Sequence, residues 1–337
     1  MLRFALSPTQ DMHIGNLRVA LFNYILSKQL NEDLIIRIED IDKEKNVEGK
    51  DKDILEILSL FAIDYTQVIY QSENLKQHSQ MAMQLSQESI SYDFACAVDD
   101  MLCNISTVFC ESDHLLDIQK QISIRKSLGY KKEINYIHLP AILESDTNTT
   151  VESLINEGFL PVAIANYLIL LGYNTPAEIF TIEEAIEWFD INKLSTKAVK
   201  FDKEKLKFIN IEYLKMMDDM RLSKLLGYAD TDLGKFAKLY LNYCDTTKEL
   251  KVKVDNIFIK NETLDGFADE FIKLKQCLQQ APYIEDFDKF IKYITEQTGL
   301  EGVQLTTPLR FIITGTTSGP ELSEIYSHIK NYLGEIV

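Results

Sequence analysis

The chain has 337 residues, of which 46% are hydrophobic and 26% are charged, and its formal net charge is −17. This length exceeds the size at which one hydrophobic core usually stops growing, so we predict two domains or two plus a small junction, and the composition excludes a disordered or fibrous protein. The acidic charge excludes a protein that coats nucleic acid non-specifically, because neutralising phosphates requires a basic surface.

The first 140 residues alternate short apolar runs with segments of helical hydrophobic spacing. This alternation predicts strands at 2–6, 34–38, 68–70, 105–110 and 136–139, and helices at 14–30, 54–61, 94–102 and 118–128. Such an order is typical of a parallel nucleotide-binding sheet. Only residues 84–91 connect the two halves of the predicted sheet.

From residue 151 onward the strand signals fade and amphipathic helices dominate. Hydrophobic spacing predicts helices at 160–171, 182–189, 203–217, 222–226, 233–243, 264–280 and 284–298. We therefore predict a Rossmann-type α/β nucleotide-binding domain over residues 1–140, a helical junction over 141–210, and an all-α C-terminal domain over 211–337.

The five cysteines and the N-terminal sequence indicate a reducing environment. The cysteines are odd in number and form no Cys-x-x-Cys pair, so we predict neither disulfides nor a structural metal, and we expect buried apolar side chains at 96, 103, 110, 244 and 277. The N-terminus lacks the pattern of a secretory signal, and no stretch approaches the ~20 apolar residues of a membrane span. We predict a cytoplasmic protein with no membrane partner.

The loop SPTQDMHIGN at 7–16, between the first strand and the first helix, is the candidate nucleotide site. It lies at the carboxyl end of a predicted parallel strand, where such sheets bind ligands. The following helix N-terminus offers N–H groups to phosphate, His13 can donate to charge developing on the α-phosphate, and Gly15 lets a nucleotide lie against the backbone. Taken alone, one His and one Gly in such a turn are more often ordinary loop chemistry.

Two charged groups also have a purely structural interpretation. By themselves, Arg37, Glu39, Asp40 and Asp42 indicate a surface ion-pair cluster that follows a strand. The segment 193–207 carries six lysines against two acidic residues, which by itself indicates a solvated helix end. The same segment is a candidate local patch for RNA phosphates.

Several blocks of sequence, in order and at plausible spacing, resemble glutamyl-tRNA synthetases. The first are RFALSPTQDMHIG at 3–15, RVALFN at 18–23, RIEDID at 37–42, YQSE at 70–73 and YDFACAVDD at 92–100. The later ones are EGFLP at 157–161, ANYL at 165–168, FDKEKL at 201–206, PLR at 308–310, TG at 314–315 and GPEL at 319–322. The resemblance spans nearly the whole chain.

The resemblance implies a two-step reaction in which ATP, with Mg²⁺ as its counter-ion, activates glutamate and the glutamyl group then passes to tRNA. Matched residue by residue, the ATP site consists of Pro8, Thr9, His13, Gly15 and Asn16, with His13 and Gly15 as catalytic residues. Asn16 stands where the signature of the enzyme class has a second histidine.

The same matching places the glutamate site at four residues, Arg3, Ser7, Glu39 and Tyr92, with Glu39 facing the ammonium group of the substrate. Guanidinium donors and a facing carboxylate suit a substrate that carries two carboxylates and one ammonium group. We expect tRNA phosphates to contact Lys197, Lys200 and Lys203. We expect the chain to be a monomer.

The chain departs from the family pattern in three places. About eight residues, 84–91, stand where the family inserts a domain that binds the acceptor end of tRNA. Within STVFCESDH at 106–114, Cys110 replaces a substrate-binding arginine and Glu111 adds negative charge. AILESDTNTT at 141–150, with Glu144 and Asp146, lacks the lysines of the mobile KMSKS-type loop, and the similar KLSTK at 193–197 lies too late in the chain to replace it.

These departures leave more than one function open. We predict a glutamate–tRNA ligase whose activity is impaired, because Cys110 and the lysine-free segment 141–150 each remove positive charge from the site. The alternative is a catalytically inactive paralogue that binds tRNA or a protein partner. A third hypothesis, a tRNA-modifying glutamyl transferase, is typical of relatives without the helical C-terminal domain, so the presence of residues 210–337 counts against it.

Overall fold

A computed structural model describes residues 1–86, 89–111, 115–143, 149–195 and 197–337, with only the backbone of residues 111 and 115. The chain forms two compact units. The first comprises Met1–Asn156 and Leu160–Ile209, and the second comprises Glu157–Phe159 and Asn210–Val337. Within these described ranges, no helix is both long and apolar enough to cross a membrane.

A parallel sheet forms the centre of the first unit. Its strands, in the described residues, are β1 (Leu2–Leu6), β2 (Leu34–Ile38), β3 (Gln67–Tyr70), β4 (Thr107–Glu111) and β5 (Asn135–Leu139), in the spatial order β3-β2-β1-β4-β5. The order therefore reverses between β1 and β4. In open α/β sheets, the crevice at such a reversal is where ligands bind.

Helices cover this sheet and continue beyond it. They are α1 (Ile14–Leu30), α2 (Lys50–Leu60), α3 (Leu75–Gln84), α4 (Tyr92–Leu102), α5 (Leu115–Ser127), α6 (Val151–Asn156), α7 (Pro161–Leu170) and α8 (Ile182–Trp188). A short parallel ladder joins β6 (Ile142–Leu143) to β7 (Val199–Lys200). Helix α1 packs against the sheet through Phe22, whose ring contacts Phe109 of β4 and also Phe189.

The predicted Rossmann-type domain is confirmed, and α1 has the predicted bounds. A capping box fixes its start, since the His13 ring accepts a hydrogen bond from the Gly15 N–H and the Asn16 side chain accepts one from the His13 N–H. Helix α3 was not predicted from the sequence, because it has only two buried residues among those described, His78 and Ala82. Helix α6 and the ladder between β6 and β7 were also not predicted.

The second unit is helical, and its residues 210–337 contain no strand, so the predicted all-α domain is confirmed. After α9 (Lys203–Met216), within which the division between the units falls, it contains α10 (Asp219–Leu225), α11 (Thr231–Leu239), α12 (Thr247–Asp255), α13 (Ala268–Gln280), α14 (Phe287–Thr298), α15 (Gly302–Thr314), α16 (Leu322–Ile329) and α17 (Leu333–Ile336). Phe290 and Tyr326 stack in its core with ring centroids 4.3 Å apart. Helices α12 and α15 to α17 were not predicted from the sequence.

Helices α10 and α11 approach so closely that only glycine fits at position 234. A Cβ atom there would lie 1.9 Å from the carbonyl oxygen of Asp219, which is far inside contact distance. The neighbouring atom belongs to the backbone, so it cannot move aside as a flexible side chain can. The Gly234 contact therefore sets the separation of the two helices.

We expect Gly234→Ala to lower the free energy of unfolding by about 1–3 kcal/mol or more, because the added methyl group forces α10 and α11 apart. Gly334→Ala is the matched control, since Gly334 also lies in a helix but has open space around its Cβ position. Denaturant titration of both variants measures the difference. Equal stability of the two variants would show that α10 and α11 separate at no cost.

Candidate active site

A cavity of about 160 Å³ lies beside β1 and β4, where the strand order reverses. Strand β1 contributes Arg3, strand β4 contributes Cys110, and α4 contributes Tyr92 and Cys96. The remaining lining residues are Phe4, Ala5, Asn16, Val19, Arg37, Glu39, Val108, Phe109, Asp117, Ile118, Gln121 and Tyr136. Residues from both sheet halves therefore meet at one place.

Ion pairs between buried residues form the floor of this cavity. Arg37, with 2% of its surface exposed, donates to Asp100 Oδ1 at 2.7 Å and to Glu39 Oε1 at 2.8 Å. Arg3 donates to the same Asp100 through Nε at 2.8 Å and Nη2 at 3.3 Å. Asp100 is fully buried and Glu39 is 8% exposed, so the structural interpretation of 37–42 as a surface cluster is wrong for its first two charged residues.

The surroundings keep both carboxylates ionised. Burial disfavours the charged form of Glu39, but Arg37, the Tyr92 hydroxyl and Arg3 outweigh it and hold the pKa of Glu39 below its ordinary value. Burial likewise opposes ionisation of Asp100, and Arg3 and Arg37 hold its pKa below the ordinary value. Pairing therefore exceeds desolvation at both carboxylates.

Three of the four residues proposed for the glutamate site line the cavity, namely Arg3, Glu39 and Tyr92. The Tyr92 hydroxyl donates to Glu39 Oε2 at 2.7 Å, and Ser7 contacts the same oxygen from 3.5 Å. Arg3 does not face Glu39 directly, because both of its hydrogen bonds go to Asp100. The structure thus places Tyr92 and Ser7 on the Glu39 carboxylate and holds Arg3 beside it on Asp100.

Cys96 is a cavity residue that the sequence analysis did not assign to the site. Its thiol donates to Glu39 Oε1 at 3.5 Å, and burial together with Glu39 raises the pKa of the thiol to about 12. The thiol is therefore neutral at physiological pH. The sequence signal for Cys96 was its position within the block YDFACAVDD, because the family resemblance of this block assigned Tyr92 to the same site.

A second buried network holds α4 in place behind the cavity. Asp99 accepts hydrogen bonds from Gln71 at 2.9 Å and Asn74 at 2.8 Å, and its carboxylate lies 2.7 Å from the His78 ring. Asp99 and His78 are both fully buried. Asp99 and Asp100 are therefore not helix-end charges at the surface, and each orients α4 from a different side.

The loop at 7–16 is itself closed by backbone pairing. His13 forms an antiparallel bridge with Thr150, the Ile14 N–H donates to the Thr149 carbonyl at 3.1 Å, and the Val151 N–H donates to the Met12 carbonyl at 2.8 Å. With Gly15 bonded to the His13 ring, two amides at the start of α1 already have partners. The helix N-terminus is thus less open to phosphate than its sequence suggests.

The other residues predicted for the ATP site lie on the same loop or at the start of α1. Pro8 is buried, Thr9 is partly exposed, and the Pro8 carbonyl accepts from the Val47 N–H at 2.9 Å. Asn16 borders the cavity at the start of α1. Arg18, which the sequence analysis did not single out, is buried one turn later and donates to the carbonyl groups of Pro140, at 2.6 Å, and Leu171.

Cys110 lies beside His138 of the neighbouring strand, with Sγ 3.3 Å from Nδ1. Burial of Cys96, Cys110 and Cys244 agrees with the expected apolar role, whereas the remaining two cysteines are only partly buried. The side chain of Glu111, residues 112–114 and residues 144–148 with Glu144 and Asp146 lie outside the described residues. The structure therefore describes the Cys110 side chain but not the acidic side chains of Glu111, Glu144 and Asp146.

The basic segment contains both half-buried and exposed lysines. Lys205 pairs with Glu178, and Lys207 pairs with Glu204 at 2.9 Å. The three lysines predicted to contact tRNA, Lys197, Lys200 and Lys203, are exposed. Thr196 lies outside the described residues. The exposed lysines remain accessible to a polyanion.

Comparisons with known proteins agree on one family. The family model of the catalytic domain of class I tRNA synthetases for Glu and Gln matches residues 1–92 and 87–208. Glutamate–tRNA ligase 2 of Sulfurimonas denitrificans is 42% identical and glutamate–tRNA ligase 1 of Nitratiruptor sp. is 39% identical, each over 431 aligned positions that cover 100% of both chains. A crystal structure of a glutamate tRNA ligase from Elizabethkingia meningosepticum shares the fold, with a TM-score of 0.79, 18% identity, and coverage of 99% of this chain and 98% of that one.

We expect Arg37→Met to lower the free energy of unfolding by about 3–5 kcal/mol at neutral pH, because it leaves Glu39 and Asp100 buried without their shared cation. The pKa values of Glu39 and Asp100 are lowered in the folded protein. The stability that their ionised carboxylates contribute is therefore present at neutral pH and is lost as the pH falls through these lowered pKa values. The cost of the substitution should therefore shrink near about pH 4, where the uncompensated carboxylates of the variant become protonated.

Denaturant titrations of wild type and Arg37→Met at both pH values measure this difference. Lys45→Met is the matched control, because it breaks the exposed Lys45–Asp42 pair and should leave stability unchanged. A cost for Arg37→Met that is equal at both pH values would contradict the electrostatic explanation.

Proposed function

We propose that this chain, which belongs to the class I glutamate–tRNA ligases, activates glutamate with ATP and transfers the glutamyl group to tRNA at a strongly reduced rate. The observation that supports this most directly is the cavity lined by Arg3, Arg37 and Glu39, whose two arginines are held by the buried Asp100. It offers guanidinium groups and a carboxylate within one small space. Glutamate is a ligand of that size and charge pattern.

In this proposal Glu39 receives the ammonium group of glutamate. Its pKa is lowered, so the carboxylate is available as an anion at neutral pH. Tyr92 and Ser7 hold its Oε2 atom by hydrogen bonds and fix the orientation of the carboxylate. Arg3, anchored by Asp100, presents the rest of its guanidinium group to a substrate carboxylate.

We place ATP at the start of α1, on Pro8, Thr9, His13, Gly15 and Asn16. His13 Nδ1 accepts from the Gly15 N–H, so the neutral ring carries its proton on Nε2 and can donate that proton to a phosphate oxygen. Mg²⁺ enters with ATP as the counter-ion of its phosphates, which is the usual way this ion is bound. His13 and Gly15 are the proposed catalytic residues.

The reduced rate follows from the loss of positive charge around the phosphates and the substrate carboxylates. Cys110 replaces the arginine expected at the end of β4, and 141–150 contains no lysine. One lost contact to a developing charge in a dry site costs about 10²–10³ in rate. Two such losses together reduce the turnover of the enzyme far more than they reduce its affinity for tRNA.

We propose that tRNA binds through Lys197, Lys200 and Lys203 and through the helical residues 211–337, with 1–140 as the catalytic domain and 141–210 as the junction. The exposed lysines support the assignment, because RNA affinity depends on cations that reach phosphate. We further propose a cytoplasmic monomer. The alternative, an inactive paralogue that binds tRNA or a protein partner, is favoured by the thiol of Cys110 at an expected arginine position.

We expect a His13→Ala, Gly15→Val double variant to bind ATP at least about tenfold more weakly. The alanine removes the ring that donates a hydrogen bond to phosphate, and the valine side chain keeps the nucleotide away from the backbone. Calorimetric titration of the full chain with Mg²⁺ and ATP measures this. His328→Ala replaces a partly buried histidine in the second compact unit and should leave affinity unchanged. Unaltered affinity in the double variant would remove ATP from the start of α1.

We expect chemistry and tRNA binding to separate. Pyrophosphate exchange with glutamate, run with and without tRNA, and glutamylation of tRNA should both be slower than in an ordinary synthetase by about 10² or more. Filter binding of tRNA should persist and weaken steeply as salt rises. Ordinary turnover would contradict the impaired rate, and salt-insensitive or absent binding would contradict the role of the lysines and the helical domain.

A further inference from the structure

The ion-paired cluster below the cavity carries one positive charge more than it carries negative charges. Arg3, Arg37 and Arg125 supply three guanidinium groups, and Glu39 and Asp100 supply two carboxylates. The excess charge cannot be removed by deprotonation, because arginine stays charged in proteins. The cluster therefore adds one positive charge beside the cavity, which favours a ligand that carries a carboxylate.

Arg125 is the arginine of this cluster that lies farthest from the carboxylates. It lies on α5, is 5% exposed, and approaches Asp100 Oδ2 only to 3.9 Å through Nη1. That Nη1 atom is buried and donates no hydrogen bond to any described residue. Leaving a buried guanidinium donor unpaired is costly, so its retention requires an explanation.

The other terminal nitrogen of Arg125 donates to the hydroxyl of Tyr136, and the guanidinium lies 5.7 Å from the centre of the Tyr136 ring. Tyr136 lines the cavity, together with Ile118 and Gln121 from the preceding turns of α5. Because the Tyr136 oxygen accepts from Arg125, its own O–H proton remains available for a ligand. A hydroxyl polarised by a cation is a strong donor to a carboxylate.

Tyr136 is also close to the place of the missing arginine. In the pairing of β4 with β5, Tyr136 lies opposite Val108. Val108 precedes Cys110 by two residues, so Val108 and Cys110 lie on the same face of the sheet. Both side chains line the cavity. A donor on Tyr136 therefore serves the same side of the cavity that an arginine at position 110 would serve.

We propose that Tyr136 binds a carboxylate group of the amino acid and that Arg125 is the positioning residue that orients its hydroxyl and supplies the positive charge. This inference rests on the proposed function, since it assumes that the cavity takes glutamate. The competing explanation is that Arg125 only balances the charge of Asp100 and has no effect on the ligand. The two explanations differ in whether Arg125 discriminates glutamate from the uncharged glutamine side chain.

The experiment measures the affinities of glutamate and glutamine for the full chain by calorimetry, and compares their ratio between variants. The test variants are Arg125→Gln, Arg125→Lys and Tyr136→Phe. Lys126→Gln is the matched control, because Lys126 is the exposed neighbouring cation on the same helix. Thermal unfolding of each variant establishes that it is folded before its ratio is used.

We expect Arg125→Gln and Tyr136→Phe each to lower the preference for glutamate over glutamine by about tenfold or more, because each removes part of a charge-assisted contact. Arg125→Lys should keep part of the preference, since it keeps the charge, and Lys126→Gln should keep all of it. If Arg125→Gln does not fold, the ratio in Tyr136→Phe decides. An unchanged ratio in the folded variants would overturn this inference alone, whereas a wild-type chain that binds neither amino acid would overturn the proposed function with it.

Discussion

The shared ion pairing of Arg37 with Glu39 and Asp100 is the constraint on which the catalytic unit depends. Each of these groups is buried, and a buried charge without a partner costs several kcal/mol. Arg37 lies on β2 and Asp100 on α4, so the pairing joins the two halves of the sheet across 63 positions of sequence. Any arrangement that separates the two halves of the sheet exposes these charges to solvent or leaves them buried without a partner. The pairing therefore positions Glu39 and the cavity as well as stabilising the fold.

Local pattern was sufficient to predict much of the fold but not the environment of the charges. The bounds of α1 followed from hydrophobic spacing and from the polar residues at its start, which are properties of neighbouring residues. Burial of Arg37 and Glu39 depends on partners distant in sequence, so their charge alone suggested a surface location. Arg125 and Tyr136 were missed for the same reason, because neither belongs to a recognisable block. The family resemblance was sufficient to assign Tyr92 and Glu39 to the site, whereas the contacts that orient their side chains are visible only in the structure.

The link between the two halves of the sheet is a place where this chain differs in length from its relatives. The family model matches the chain in two stretches that meet at residues 87–92, and the relatives align over 431 positions against 337 residues here. The chain therefore has internal gaps relative to these ligases. The five described strands nevertheless pair in one continuous sheet, in the order β3-β2-β1-β4-β5. The pairing of Asp99 with Gln71, Asn74 and His78 ties α3 to α4 on either side of this link.

The backbone bridge between 12–14 and 149–151 has a consequence for how this protein can change over evolutionary time. The segment after β5 is held at one end by the β6–β7 ladder and at the other by this bridge. Both anchors use main-chain atoms, which every amino acid supplies apart from the missing N–H of proline. Between fixed ends, a loop gains length at an entropic cost that rises only with the logarithm of that length. A change of sequence length between these two anchors therefore costs little stability, so this region of the chain can lengthen or shorten over evolutionary time while the scaffold around it stays the same.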